Sequence, residues 1–191
     1  VRDFNRFDYA GTDGFESMRS LVDYLAGRGH RDIAYIGGRP GYSAEERFLG
    51  FQEGMEANHL AMNAEWIKNT PSFVDPADEG KAEIAGIISS VHRPTAIVCL
   101  HDIIARNVCE ALHEAGIDVP GDISVTGFDD LPFAEYLNPP LTTVHQNFEL
   151  LGKTGVELLV RKITGKSTGR EQRTISNAII RRSSCGNCPE R

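Results

Sequence analysis

Nine residues of this chain have the chemistry to hold a small molecule and stand at or just after the ends of extended runs: Arg39, Ser43, Arg47, Phe73, His101, Asp102, Asp129, Asp130 and Gln146. Together they supply carboxylate, guanidinium, amide, hydroxyl and aromatic groups. That inventory recognises a polyol through paired hydrogen bonds and stacking on a sugar face. Catalytic sets are incomplete by contrast. There is no GxSxG elbow and no HExxH pair, the six histidines are scattered, and Asp129-Asp130 is an isolated acidic pair that could in principle hold a metal but is not a complete set. The run Gly37-Gly38-Arg39-Pro40-Gly41 follows neither the GxGxxG order nor the GxxxxGK[ST] order, so it reads as a turn and not as a phosphate cradle. The expectation is binding without catalysis, with no cofactor and no metal.

The elements that must position these residues alternate along the chain. Phe15, Met18, Leu21, Val22 and Leu25 recur at helical spacing, and Gly27 and Gly29 end that helix before the buried run Asp32 to Ile36. Ser43 with Glu46 has the capping-box spacing ahead of a helix that turns Phe48, Phe51 and Met55 inward. Trp66 to Asn69 is a short strand candidate. Thr70 to Asp75 is a loop, with Asp75 as N-cap and Pro76 in the first turn of a helix ending near Val91. Thr95 to Leu100 reads as a buried parallel strand, followed by a helix capped by Asp102 and ending at Gly116. A strand at Ile123 to Thr126 leads into a loop Gly127 to Asp130 and a helical turn. Then come Pro139-Pro140, a strand from Leu141 to His145, a helix from Phe148 to Ile163 and a last strand near Thr174 to Arg181. Successive βα units imply an α/β fold, a parallel sheet with helices on both faces, whose ligands bind beyond the carboxyl ends of the strands.

Composition narrows the partners. The 191 residues are 40% hydrophobic and 25% charged, as in an ordinary globular protein, and the apolar runs are far too short to cross a bilayer. Net charge is −7, and residues 161 to 191 hold eight Lys/Arg against two Asp/Glu, which leaves the first 160 residues at −13. Such a surface repels nucleic acid, so DNA contact by this stretch is not expected. Cys99 and Cys109 read as small core residues of a reducing compartment, the cytoplasm by default. Cys185 and Cys188 have CxxC spacing, but neither a second zinc half-site nor an early helix accompanies them, and a frayed tail is expected. The chain starts at Val1 without a charged-then-apolar leader, so it is expected to be a processed or truncated piece.

Five ordered motifs add a resemblance. Leu25-x-x-x-Gly29-His30-Arg31-Asp32-Ile33-Ala34, Glu46-Arg47-x-x-Gly50-Phe51, Asp122-Ile123-Ser124-Val125-x-Gly127-Phe128-Asp129-Asp130, Pro140-Leu141-Thr142-Thr143-Val144 and Ile180-Arg181-Arg182-Ser183-Ser184 together resemble the ligand-binding domain of the LacI/GalR repressors. The resemblance implies a type I periplasmic-binding-protein-like fold of two lobes, a sugar or related effector in the cleft, homodimerisation, and operator DNA bound by an upstream helix-turn-helix domain. It divides the chain into residues 1–12, the end of the first lobe and a crossover; 13–144, the second lobe; 145–175, a first-lobe helix and crossover; and 176–191, the last second-lobe strand and tail. The first lobe is then incomplete, and an apolar surface around Phe148, Leu151 and Leu159 is expected to be uncovered and open to self-association.

Residue by residue, Arg47 matches the family's effector-contacting arginine, and Asp129 the first aspartate of its GFDD motif, an acceptor for hydroxyls. Asp130 is expected to fix the loop. Gln146 and Phe148 match crossover positions bordering the pocket, Phe148 reading equally as core; Ser43 is either a ligand contact or only a cap. Phe73 matches a loop aromatic that stacks on a sugar, and Asp13 completes the expected effector-binding set. Relatives usually read Asn-Asp where this chain has His101-Asp102. His101 then either carries charge and selects an acidic or phosphorylated ligand, or is a neutral donor in place of the amide. The alternatives to a cytoplasmic regulator are an exported sugar-binding protein, with the same cleft behind an export signal, and the sensor domain of another signalling protein.

Overall fold

Apolar residues alternate along the central strands, and that alternation decides which helices cover which face. The structure is a computed structural model that describes residues 7–39, 41–70 and 78–190. In chain order its elements are β1 (Tyr9–Thr12), α1 (Gly14–Ala26), β2 (Ile33–Gly37), α2 (Tyr42–Ala57), β3 (Ile67–Asn69), α3 (Lys81–Ile88), β4 (Ala96–Cys99), α4 (Asp102–Glu114), β5 (Ser124–Asp129), β6 (Thr142–His145), α5 (Phe148–Ile163), β7 (Gln172–Ile175) and β8 (Ala178–Ile180). Short 3-10 turns lie at Ala64–Trp66 and Ala134–Tyr136.

Six strands form one sheet in the order β3-β2-β4-β5-β6-β8. It is parallel except at β8, which runs antiparallel beside β6. Ile33, Tyr35, Ala96 and Val98 face α1 and α2, packing with Met18, Leu21, Val22, Leu25, Phe51 and Met55. Their neighbours Ala34, Ile36, Ile97 and Cys99 face the other way, onto Ile84 and Ile87 of α3 and Ile104, Val108 and Leu112 of α4. The sheet is thus buried on both sides, as its continuous apolar runs require. Strand order reverses between β2 and β4, so their carboxyl ends flank a crevice of the kind in which open α/β sheets bind ligands.

The remaining two strands, β1 and β7, pair in parallel as a separate small sheet. The extended run expected near 174–181 is therefore two strands in two sheets, interrupted at Ser176-Asn177. The chain passes between the sheets three times, and the passing segments bond to each other. Asp13 N–H donates to the Ile175 carbonyl at 3.1 Å, Asn177 Nδ2 donates to Ser17 Oγ at 2.9 Å, and Thr12 Oγ1 donates to Gln146 Oε1 at 2.6 Å. Helix α5 packs on β1 and β7 and buries Leu158. Around it Phe148, Leu150, Val156, Leu159, Val160 and Ile163 are exposed, Ile163 to 76%, while Leu151 is half-buried. The expected apolar surface is present and somewhat differently composed.

Helix starts differ from expectation in three places. The N-cap of α2 is Gly41, with no side-chain cap; Ser43 lies inside the first turn and is exposed, so the capping-box reading is wrong. The N-cap of α4 is His101, whose ring accepts the Ile104 N–H, while the Asp102 carboxylate turns away to the strands. Helix α3 is capped by Gly80; Asp75 and Pro76, the expected cap and first turn, lie outside the described residues. The strand β5 also continues through Gly127-Phe128-Asp129, which sequence alone assigned to a loop.

The tail is docked, not frayed. Ser184 is fully buried; its hydroxyl donates to the Val125 carbonyl at 2.6 Å and accepts the Thr142 N–H at 2.8 Å. Gly186 N–H donates to Ser124 Oγ, and Cys188 N–H to the Arg28 carbonyl at 2.9 Å. All four cysteines are free thiols. Among the described residues, no helix is long and apolar enough to cross a membrane.

Candidate functional site

Four of the expected residues converge at the carboxyl edge of the large sheet. Arg47 projects from α2 with one face of its guanidinium 3.6 Å from the centroid of the Phe128 ring. Its Nη1 donates to the Leu100 carbonyl at 2.8 Å, beyond β4, and its Nη2 to Asp129 Oδ1 at 3.3 Å, at the end of β5. Gln146 Nε2, just after β6, donates to that same Oδ1 at 2.6 Å, and Thr12 Oγ1 donates to Gln146 Oε1. Among the described residues no hydrogen-bond donor reaches Asp129 Oδ2, and the side chain keeps 21% exposure. The carboxylate is held from one side and open as an acceptor on the other. Burial pulls the Arg47 pKa down, and the charge of Asp129 opposes that shift.

Backbone strain marks the same spot. Asp129 has φ 111° and Asp130 φ 55°, a region that L residues with side chains rarely adopt and that is retained where surrounding structure fixes it. Here the surroundings are explicit. Asp130 accepts from Arg182 Nη2 at 2.7 Å and lies 2.9 Å from His145 Nδ1, so it fixes the loop, as expected. The two aspartates thus point to different partners. Below them Asp102 is fully buried, accepting from Thr143 Oγ1 at 2.6 Å and Leu131 N–H at 2.7 Å. Only glycine fits above that carboxylate, because a Cβ on Gly127 would lie 2.2 Å from Asp102 Oδ1.

His101 follows β4 and extends the polar line across the sheet. Its Nδ1 accepts the Ile104 N–H at 3.4 Å, which places the ring proton on Nε2, 3.5 Å from Glu79 Oε2. Thr70 Oγ1, after β3, donates to Glu79 Oε1 at 3.3 Å. Burial lowers the His101 pKa, against the pull of Glu79 and Asp129, so the ring is neutral near pH 7 and donates as an uncharged group. Glu79, Thr70 and Thr12 were missed by sequence reading. Thr70 stands directly after a strand candidate and carried a positional signal; Glu79 and Thr12 belong to no motif.

Among the described residues, the other expected side chains do not hydrogen-bond into this line. Asp13 is the N-cap of α1, accepting the Glu16 N–H at 2.8 Å. Ser43 and Arg39 are exposed on the α2 approach, and Phe148 is exposed at the start of α5. Phe73 lies outside the described residues.

Comparison with known proteins gives this geometry a context. A family model described as periplasmic binding protein-like domain matches residues 22–185. The chain is similar to the HTH-type transcriptional repressor PurR of Histophilus somni, 37% identical over 180 residues, covering 92% of this chain and 53% of the repressor. It superposes on a regulatory protein of the LacI family from Chloroflexus aggregans with TM-score 0.86 and 31% identity, covering 94% of this chain and 65% of that one. A transcriptional regulator CelR–cellobiose complex gives TM-score 0.86 at 27% identity, covering 93% and 54%. The chain spans about half the length of the curated relatives it matches. These relatives are named as regulators, not enzymes, and the match over most of the sequence shows that the chain belongs to the periplasmic binding protein-like domain family.

Proposed function

We propose that this chain is the effector-binding and dimerisation part of a cytoplasmic transcriptional repressor, sensing a sugar or related small metabolite and altering the operator affinity of a helix-turn-helix domain upstream. The observation that carries the reading is the open Oδ2 of Asp129, held in place by Arg47 and Gln146 at the carboxyl edge of the large sheet. A ligand hydroxyl received there pulls on Gln146 and, through it, on Thr12, the last residue of β1 in the small sheet. Binding is thereby coupled to how the two sheets sit relative to one another. They stand for two lobes, divided near residues 12, 145 and 176, with β1, α5 and β7 belonging to the first, which this chain holds in part. The cellobiose bound by one structural neighbour supports a sugar as ligand. An effector that favours one arrangement by about 1–3 kcal/mol changes operator affinity roughly 5- to 150-fold, and operator DNA biases effector affinity equally.

A thermal-shift panel of pentoses, hexoses, cellobiose and purines tests the reading. A rise in melting temperature with at least one ligand, absent in Arg47→Ala, supports it. Absence of any shift with a folded, intact protein contradicts it.

A further inference from the structure

This inference rests on the effector reading and concerns which effectors the site admits. Across the carboxyl edge the polar groups run Thr70, Glu79, His101, Arg47, Asp129, Gln146. The Arg47 cation is already matched by Asp129. Glu79 adds a second carboxylate, 11% exposed, whose one ion contact among the described residues is His101. The imidazole N–H that could have met an anionic ligand is turned to Glu79 instead, and the ring is kept in that orientation by its bond to the α4 backbone.

Gly38, just after β2, packs closely against this arrangement. A Cβ there would lie 3.3 Å from Glu79 Oε1, 3.6 Å from His101 Nε2 and 2.7 Å from Leu100 Cδ2. Glycine is required there because any side chain would collide with Leu100, and its backbone packs beside the Glu79 carboxylate and the His101 ring. A partly buried carboxylate repels an incoming anion strongly because little water screens it, whereas it accepts hydrogen bonds from hydroxyl, amino or ring N–H groups.

We propose that Glu79 is a specificity-determining residue: with Asp129 it sets two partly buried carboxylates against the buried guanidinium of Arg47, Arg39 being exposed to solvent, so the site takes an uncharged or cationic ligand rich in donors and excludes phosphorylated and carboxylated ones. Specificity of this kind arises from an element that repels the wrong ligand, not only from contacts to the right one.

The test is calorimetric titration of the full chain with paired probes: ribose against ribose 5-phosphate, glucose and glucosamine against glucose 6-phosphate and glucuronate, and adenosine against adenosine monophosphate. The expected result is that the preferred uncharged or cationic probe binds at least about tenfold more tightly than its anionic counterpart, and that Glu79→Gln narrows the ratio by about threefold or more. An anionic counterpart that binds equally or more tightly, or a ratio unchanged in folded Glu79→Gln, overturns this inference alone. The wild-type ratio decides if that variant does not fold. Failure of every probe to bind, or binding that survives Arg47→Ala undiminished, overturns the effector reading itself and this inference with it.

Discussion

Arg47 and Asp129, 82 residues apart in the chain, meet at 3.3 Å where α2 and the end of β5 close on the carboxyl edge of the sheet. The contact joins a helix to a strand end, and Gln146 carries it onward to Thr12 at the end of β1 in the small sheet. A side chain at the ligand edge is thereby connected to the only part of the described fold where the two sheets exchange chain. Under the proposed function, that connection is the route by which a bound effector would rearrange them.

Asp102 makes stability depend on pH. Burial, opposed by Thr143 and the Leu131 N–H, raises its pKa from 3.8 to about 6. A folded-state pKa above the unfolded one means that the native form binds the proton more tightly. Stability then falls as pH rises from about 4 to about 6 and is level in this respect above that, a loss on the order of 2–3 kcal/mol. Urea unfolding of wild type and Asp102→Asn across pH 4–8 checks this. The difference between them should move in favour of the variant by that amount as pH rises, and a difference independent of pH would refute the assignment.

Ser184 secures the tail to the sheet. Replacing it with alanine leaves the Thr142 N–H and the Val125 carbonyl short of a partner in a buried place, at a cost of about 1–3 kcal/mol. The urea midpoint of Ser184→Ala should fall accordingly; a change within error would mean that the tail contributes nothing to holding β5 and β6.

The thiols should divide sharply by reactivity. Burial raises Cys109 to about 12, Cys185 to about 11, and Cys99 well above the usual thiol value, and reaction proceeds through the thiolate. With an aromatic disulfide reagent at pH 8, Cys188 alone should react in the native state and all four cysteines after denaturation. Loss of the native signal in Cys188→Ser would confirm the division, whereas rapid reaction of Cys185 would restore the redox-pair reading of the CxxC spacing.

Much of the large sheet was legible because its strands carry patterns that only a doubly covered sheet accommodates, as Ala96-Ile97-Val98-Cys99 shows by dividing its side chains between two cores. The caps were not legible. His101 and Asp102 are adjacent, both can accept a backbone N–H, and the choice was made by Thr143 and Leu131, distant residues that claim the carboxylate. The split of β7 from β8 was hidden because pairing partners, not local pattern, assign each piece to a sheet. In the site, Arg47, His101, Asp129 and Gln146 could be gathered from strand-end positions and motifs. Thr12, paired with a residue 134 positions away, and Glu79, outside any motif, became visible only through their contacts.

The most direct test of the effector site compares two neighbouring carboxylates in one loop. Calorimetric titration with the tightest ligand from the thermal panel should show binding lost or weakened at least about tenfold in Asp129→Asn, whose Oδ2 is the open acceptor, and retained within about threefold in Asp130→Asn, whose carboxylate is committed to Arg182 and His145. Retained affinity in a folded Asp129→Asn protein would contradict the placement of the effector at this edge.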